Sequence, residues 1–155
     1  MTSWFDELRE FLRIPSISAD PAHAGDVTAA GEWVCDFIRQ AGGACDLVDW
    51  HGQPLAVGEI RASREAGTAP TVLCYGHFDV QPEDPLDLWE SAPFEPEIRD
   101  EHVYARGVAD DKGQLYMLLA AARELAVAGE LPVNVRFTFG VDALLSGFEA
   151  MSQPV

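Results

Sequence analysis

The stretch from Thr71 to Gly113, TVLCYGHFDVQPEDPLDLWESAPFEPEIRDEHVYARGVADDKG, limits the possible fold more than any other part of the chain. It opens with the apolar run Val72-Leu73-Cys74-Tyr75 and breaks at Gly76. His77 and Asp79 follow, two residues apart, and much later the acidic pair Asp110-Asp111 lies between Gly107 and Gly113. A short apolar run ending at a glycine reads as a buried strand, the kind found in the parallel sheets of α/β proteins. In such sheets function gathers where the strands end. Extended chain places alternate side chains on the same side, so His77 and Asp79 face one way. A metal-ligating imidazole and the carboxylate that orients it need that arrangement.

The flanking sequence supplies helices and further strands. Ser3-Trp4-Phe5-Asp6 has a capping serine with an acid three residues on, a helix start. Phe5, Leu8, Phe11 and Leu12 then share a face until Pro15 stops the helix. After a loop over 16–24, Val27, Ala30, Val34, Phe37 and Ile38 predict a second amphipathic helix, ended by Gly42-Gly43. Residues 45–50 and 55–60 read as a hairpin turning at His51-Gly52, and 98–104 as another about an acidic turn. A helix is predicted from Gln114 to Ala128, with Leu115, Leu118, Leu119, Ala122 and Leu125 as its apolar stripe, and a strand over 133–139. Helices alternating with buried strands predict an α/β fold, a three-layer sandwich with a mostly parallel or mixed central sheet.

Acidic residues outnumber basic ones 26 to 10, a net charge of −16. Affinity for nucleic acid and for anionic membranes rests on Lys and Arg, so neither is expected as a partner, whereas cations are attracted. Cys35, Cys45 and Cys74 form no CxxC and read as reduced, packed thiols of a cytoplasmic protein. The acidic N-terminus does not resemble a signal peptide, and the run Leu115–Val127 is too short and too interrupted to span a bilayer.

There is no G-x-S-x-G, no H-E-x-x-H and no P-loop. Two carboxylates in ARGVADDKG would repel phosphate. Read singly, His77 is an ordinary polar residue at a strand end, and Asp110-Asp111 a capping pair for the helix that follows. Adjacent carboxylates repel, however, and burying them calls for a cation or strong hydrogen bonds. With imidazole in the set, that cation would be zinc, manganese or cobalt rather than calcium.

The segments GHFDVQP, DLWESAPFEP and ARGVADDKG, in this order and spacing, resemble the M20 family of metallopeptidases, particularly its carnosinase-like dipeptidase branch. LRIPSISADP and the two helices near it are similar to the same branch, and the likeness runs over residues 1–139. The resemblance implies a catalytic domain with two divalent metals, zinc or in some members manganese. His77 would ligate one metal, Asp110 would bridge both, and Asp79 would be the acid that orients His77. It also implies a cis peptide between Asp110 and Asp111. His23, His51 and His102 gain no role and read as surface or loop residues.

After the strand over 133–139 the family pattern continues with a Glu-rich loop carrying the general base and a metal ligand. This chain instead reads Gly140-Val141-Asp142-Ala143-Leu144-Leu145-Ser146-Gly147-Phe148, and no role passes to Asp142 or Glu149. Residues 1–139 are therefore expected to be the N-terminal part of an M20-type catalytic domain and 140–155 a divergent tail. Over 141–151 the tail could form an amphipathic helix, with Val141, Leu144, Leu145 and Phe148 on one face. Two functions remain open. One is a metal-dependent hydrolase acting on a dipeptide or small amide, with this chain inactive alone. The other is a catalytically dead remnant that binds metal weakly or serves as an interaction fragment. Self-association through an exposed sheet edge is expected in either case.

Overall fold

The computed structural model describes residues 3–141. Ser3 caps α1 (Trp4–Leu12): its hydroxyl accepts from the Asp6 N–H at 3.1 Å, and Asp6 reaches back to Ser3. Leu8, Phe11 and Leu12 are buried on the inner face of α1. A single 3₁₀ turn at Pro21–His23 leads into α2 (Ala24–Gln40), which buries Val27, Ala30, Val34, Phe37 and Ile38 as their spacing predicts. β1 (Ala44–Trp50) and β2 (Gln53–Ile60) form the expected antiparallel hairpin. Its two turn residues, His51 and Gly52, both have positive φ, as a primed two-residue turn requires. β3 (Thr71–His77) follows, then the small hairpin β4 (Glu97–Arg99) and β5 (His102–Tyr104), with Asp100 and Glu101 at its left-handed tip. α3 (Lys112–Val127) and β6 (Asn134–Gly140) complete the described chain.

The four-stranded sheet runs β1-β2-β6-β3. Among the described residues only β3 and β6 are parallel, with His77 opposite Gly140, while β1–β2 and β2–β6 are antiparallel. The sheet is therefore mixed, with antiparallel pairs in the majority. Inward side chains of β6 (Val135, Phe137, Phe139) and β2 (Ala56, Ile60) meet α2 and α3 in a core that also takes Phe11 and Phe78. A Cβ on Gly58 would touch Ile38 of α2, and one on Gly76 would touch Leu115 of α3. Both helices thus lie on the same face. The opposite face, with Val57, Leu73 and Tyr75, is exposed, so the described residues supply two of the three expected layers. Arg123 of α3 ties that helix to α1 by a forked pair with Glu7, at 2.8 and 2.7 Å.

Two expectations need correcting. β3 is not buried: it is the edge strand among the described residues, and Leu73 is 65 % exposed. An apolar run has the same periodicity at an edge as in the middle of a sheet, so it could not show the difference. Leu118 and Leu125, placed in the core stripe of α3, are exposed, and Tyr116 is buried in their place. α3 is apolar around most of its circumference, so its stripe could be drawn on either side. The tail helix expected over 141–151 lies, past Val141, outside the described residues.

Candidate metal centre

β3 ends on the site. Gly76 is required there, because a Cβ would come within 2.5 Å of the Asp111 carboxylate and 2.6 Å of Leu115. Beyond it the chain is pinned by residues 16–18. The Ser16 hydroxyl donates to the Phe78 carbonyl at 2.7 Å, Val80 N–H donates to the Ser16 carbonyl at 2.9 Å, and Ile17 and Val80 form a parallel bridge. The Ser18 hydroxyl donates to Asp79 Oδ2. Asp79 is buried, and its Oδ1 lies 3.1 Å from His77 Nδ1, with its own carbonyl at 3.2 Å. A ring nitrogen held in this way leaves the other nitrogen free for a cation.

That other nitrogen, Nε2, lies 3.0 Å from Asp110 Oδ1. Asp110 arrives from the loop between β5 and α3, across the 107–113 segment, and its side chain is 82 % exposed. The Asp110–Asp111 peptide is cis. Asp111 stands at the N-cap of α3 but makes no side-chain capping bond. Its Oδ2 instead accepts from the His77 backbone N–H at 3.3 Å, so the capping reading of the acidic pair fails. The structure thus brings together His77, Asp79 and Asp110. His23 pairs locally with Asp26 at 2.7 Å, and His51 and His102 are exposed in their hairpins.

The electrostatics follow the geometry. The hydrogen bond to Asp79, helped by the charges of Asp79, Asp110 and Asp111, outweighs burial and raises the His77 pKa to about 9. Burial raises that of Asp111, against the hydrogen bond it accepts from the His77 N–H. A cavity of about 140 Å³ opens over the pair, lined by His77, Asp79, Gln81, Arg106 and Asp110. Two donors each about 2.1 Å from one zinc ion stand roughly 3.4 Å apart in a tetrahedral shell, so a 3.0 Å separation fits a shared ion with a small adjustment. Among the described residues no group of three or more His, Cys, Asp or Glu side chains could enclose an ion. His77 and Asp110 offer two candidate donors at this position.

Residues 73–143 match the sequence profile of peptidase family M20/M25/M40. Across those residues the chain is of the M20 peptidase family. It is 43 % identical over 112 residues to succinyl-diaminopimelate desuccinylase of Azoarcus, a match covering 72 % of this chain and 27 % of that protein. It is 30 % identical to cysteinylglycine-S-conjugate dipeptidase of Corynebacterium striatum over 96 % of this chain and 32 % of the relative. In structure it is similar to human carnosine dipeptidase 1, with a TM-score of 0.78 at 28 % identity, over 88 % of this chain and 31 % of the other. The chain thus spans about a third or less of the length of these M20 relatives. Ser18 and Lys112 have no role legible from sequence. Their only signal is their place inside the segments LRIPSISADP and ARGVADDKG that carry the family likeness.

Proposed function

We propose that this chain carries part of the site of an M20-type, metal-dependent hydrolase that cleaves a dipeptide or related amide next to a free carboxylate. His77 would hold one divalent ion, Asp110 would be shared between two, and Asp79, steadied by Ser18, would orient His77. The ions would be zinc, with manganese or cobalt as substitutes. When bound, paired cations supply an activated water and polarise the scissile carbonyl. The observation that carries this reading is the 3.0 Å approach of His77 Nε2 to Asp110 Oδ1, with Asp79 behind the imidazole. The acidic balance speaks for a small cationic or metal-bound ligand and against nucleic acid and anionic membranes. Among the described residues no helix is long and apolar enough to cross a membrane. Three cysteines without disulfides suit a cytoplasmic setting.

Alone, the 155-residue chain is proposed to bind a divalent ion weakly and to leave peptides uncut, because affinity rises with ligand number and preorganisation. Calorimetric titration with zinc tests the binding, and incubation with a dipeptide panel tests the cleavage. The expected result is weak binding that drops at least tenfold in His77→Ala and in Asp110→Asn, as loss of a ligand does. Tight binding of two ions would overturn the weak-binding statement. Equal affinity in all three proteins would overturn the site.

We also propose that two copies associate through β3. Among the described residues β3 is an edge strand, and Thr71–Gly76 carries no charge, no proline and no bulge, the features that usually guard an edge. On a body of net charge −16, antiparallel pairing of this segment with its own copy brings together the stretch that itself carries no charge. Sedimentation velocity should show mass rising with concentration, and Leu73→Lys should restore the monomer. A wild-type chain that stays monomeric at high concentration would refute the association.

A further inference from the structure

We propose that Lys112 is a positioning residue that sets Asp110 against His77, by tying the Asp110 loop to residues 11–14, which lead directly into the Ser16–Ser18 segment that holds the His77 half of the site. The inference rests on the reading of His77 and Asp110 as paired donors. Lys112 is fully buried, yet the hydrogen-bond partners of its ammonium are main-chain carbonyls near the end of α1: Phe11 O at 3.1 Å and Ile14 O at 2.6 Å. The ammonium also lies 5.0 Å from the centre of the Phe11 ring. Its stem passes the loop that carries Asp110, where a Cβ on Gly107 would sit 3.5 Å from Lys112 Cδ.

The carbonyls that hold Lys112 immediately precede the segment that holds the other half of the site. Ile14 is followed by Ser16, which anchors the Phe78 carbonyl, and by Ser18, which anchors Asp79. Asp79 in turn holds His77. A displacement at residues 11–14 would therefore be transmitted to His77 through Ser18 and Asp79, and to Asp110 through Lys112, so the two donors keep their spacing. A buried ammonium costs desolvation energy, and an apolar side chain of similar volume is often as stable or more so. Stability is thus a poor reason for a lysine here. Orientation is a better one, because the N–H donors at the end of a long lysine stem can fix two carbonyls at once.

The test compares Lys112→Met with Leu119→Ala, which empties a buried position of the same helix away from the site. Two quantities are read in each folded protein. The first is zinc affinity by calorimetry. The second is the ¹⁵N chemical shift of His77 Nε2 in the metal-free chain, which reports its hydrogen bond to Asp110. Lys112→Met is expected to keep the fold, weaken zinc binding about tenfold, as loss of an outer-shell support does, and move the Nε2 resonance. Leu119→Ala is expected to lower Tm while leaving both readouts at wild-type values. Wild-type zinc affinity and an unmoved Nε2 resonance in Lys112→Met would overturn the proposal. If the wild type binds no zinc at all, the metal reading fails, and the Nε2 shift alone decides whether Lys112 positions Asp110. Should Lys112→Met not fold, Lys112→Gln, whose amide falls short of the Ile14 carbonyl, is read by the same criteria.

Discussion

Gly113→Ala is expected to cost the protein on the order of 3–5 kcal/mol, at the damaging end of single substitutions, and to lower Tm by roughly 10 °C or more. A Cβ at this position would lie 2.0 Å from the Val108 carbonyl oxygen and 3.1 Å from its carbon. Both are backbone atoms, so no rotamer change relieves the clash. Either the first turn of α3 or the 107–111 loop must move, and that loop carries Asp110. Thermal unfolding by circular dichroism measures the loss, and zinc calorimetry on the folded fraction should show weakened binding as well. Gly25→Ala is the internal control. Gly25 lies in the first turn of α2, and a Cβ added there would meet nothing within 4 Å. Alanine at that position should therefore stabilise the helix by about 0.5–1 kcal/mol. A Gly113→Ala protein as stable as wild type would show that the loop is far more yielding than its packing indicates.

Stability should also depend on pH through His77. Its folded-state pKa of about 9 is set first by the hydrogen bond to Asp79, and then by the surrounding carboxylates. The unfolded value is near 6.5. The folded state therefore holds the proton more tightly. The resulting stability is fully present below about pH 6.5, declines through the interval up to about pH 9, and is absent above it. At about 1.4 kcal/mol per pH unit, the contribution amounts to about 3 kcal/mol. Lys112 acts with the opposite sign. Burial lowers its folded pKa to about 7, so its term improves stability as pH rises from there towards the ordinary lysine value. The measurement that isolates His77 is therefore a difference: urea unfolding of wild type minus His77→Gln, repeated from about pH 6 to about pH 10. The difference should fall across this range by about 3 kcal/mol, and the same experiment in an Asp79→Asn background should flatten it. A difference that stays constant with pH would mean that the imidazole is not paired as the geometry shows.

Much of the local architecture was legible because its causes are local. Ser3 and Asp6 specify a helix start, and His51-Gly52 supplies the two positive-φ positions of a tight hairpin, so these elements stand where the sequence puts them. His77 and Asp79 are close in sequence, and alternation along extended chain was enough to place them on one side. The pairing with Asp110 is different. No spacing rule links residues 77 and 110, and only the family resemblance implies that they meet. Ser18 and Lys112 are not legible in the sequence because their partners are far away in it, across 61 residues for Ser18–Asp79 and 98 for Lys112–Ile14. Strand order was equally hidden. Nothing in the run at β3 shows that β6 separates it from β2, or that β3 lies at the margin of the sheet formed by the described residues.

If two copies pair through β3 as proposed, its uncharged edge on a polyanion would make ionic strength a control on that pairing. In dilute buffer the repulsion between two such bodies reaches across tens of ångströms, because the Debye length is about 30 Å at 0.01 M and shrinks to about 8 Å at 0.15 M. The chain should therefore stay dispersed in low-salt solution and gather as electrolyte is added, the reverse of proteins whose contacts are built from opposite charges. A divalent cation would act in the same direction twice, by screening the surface and by neutralising carboxylates such as the exposed Asp110.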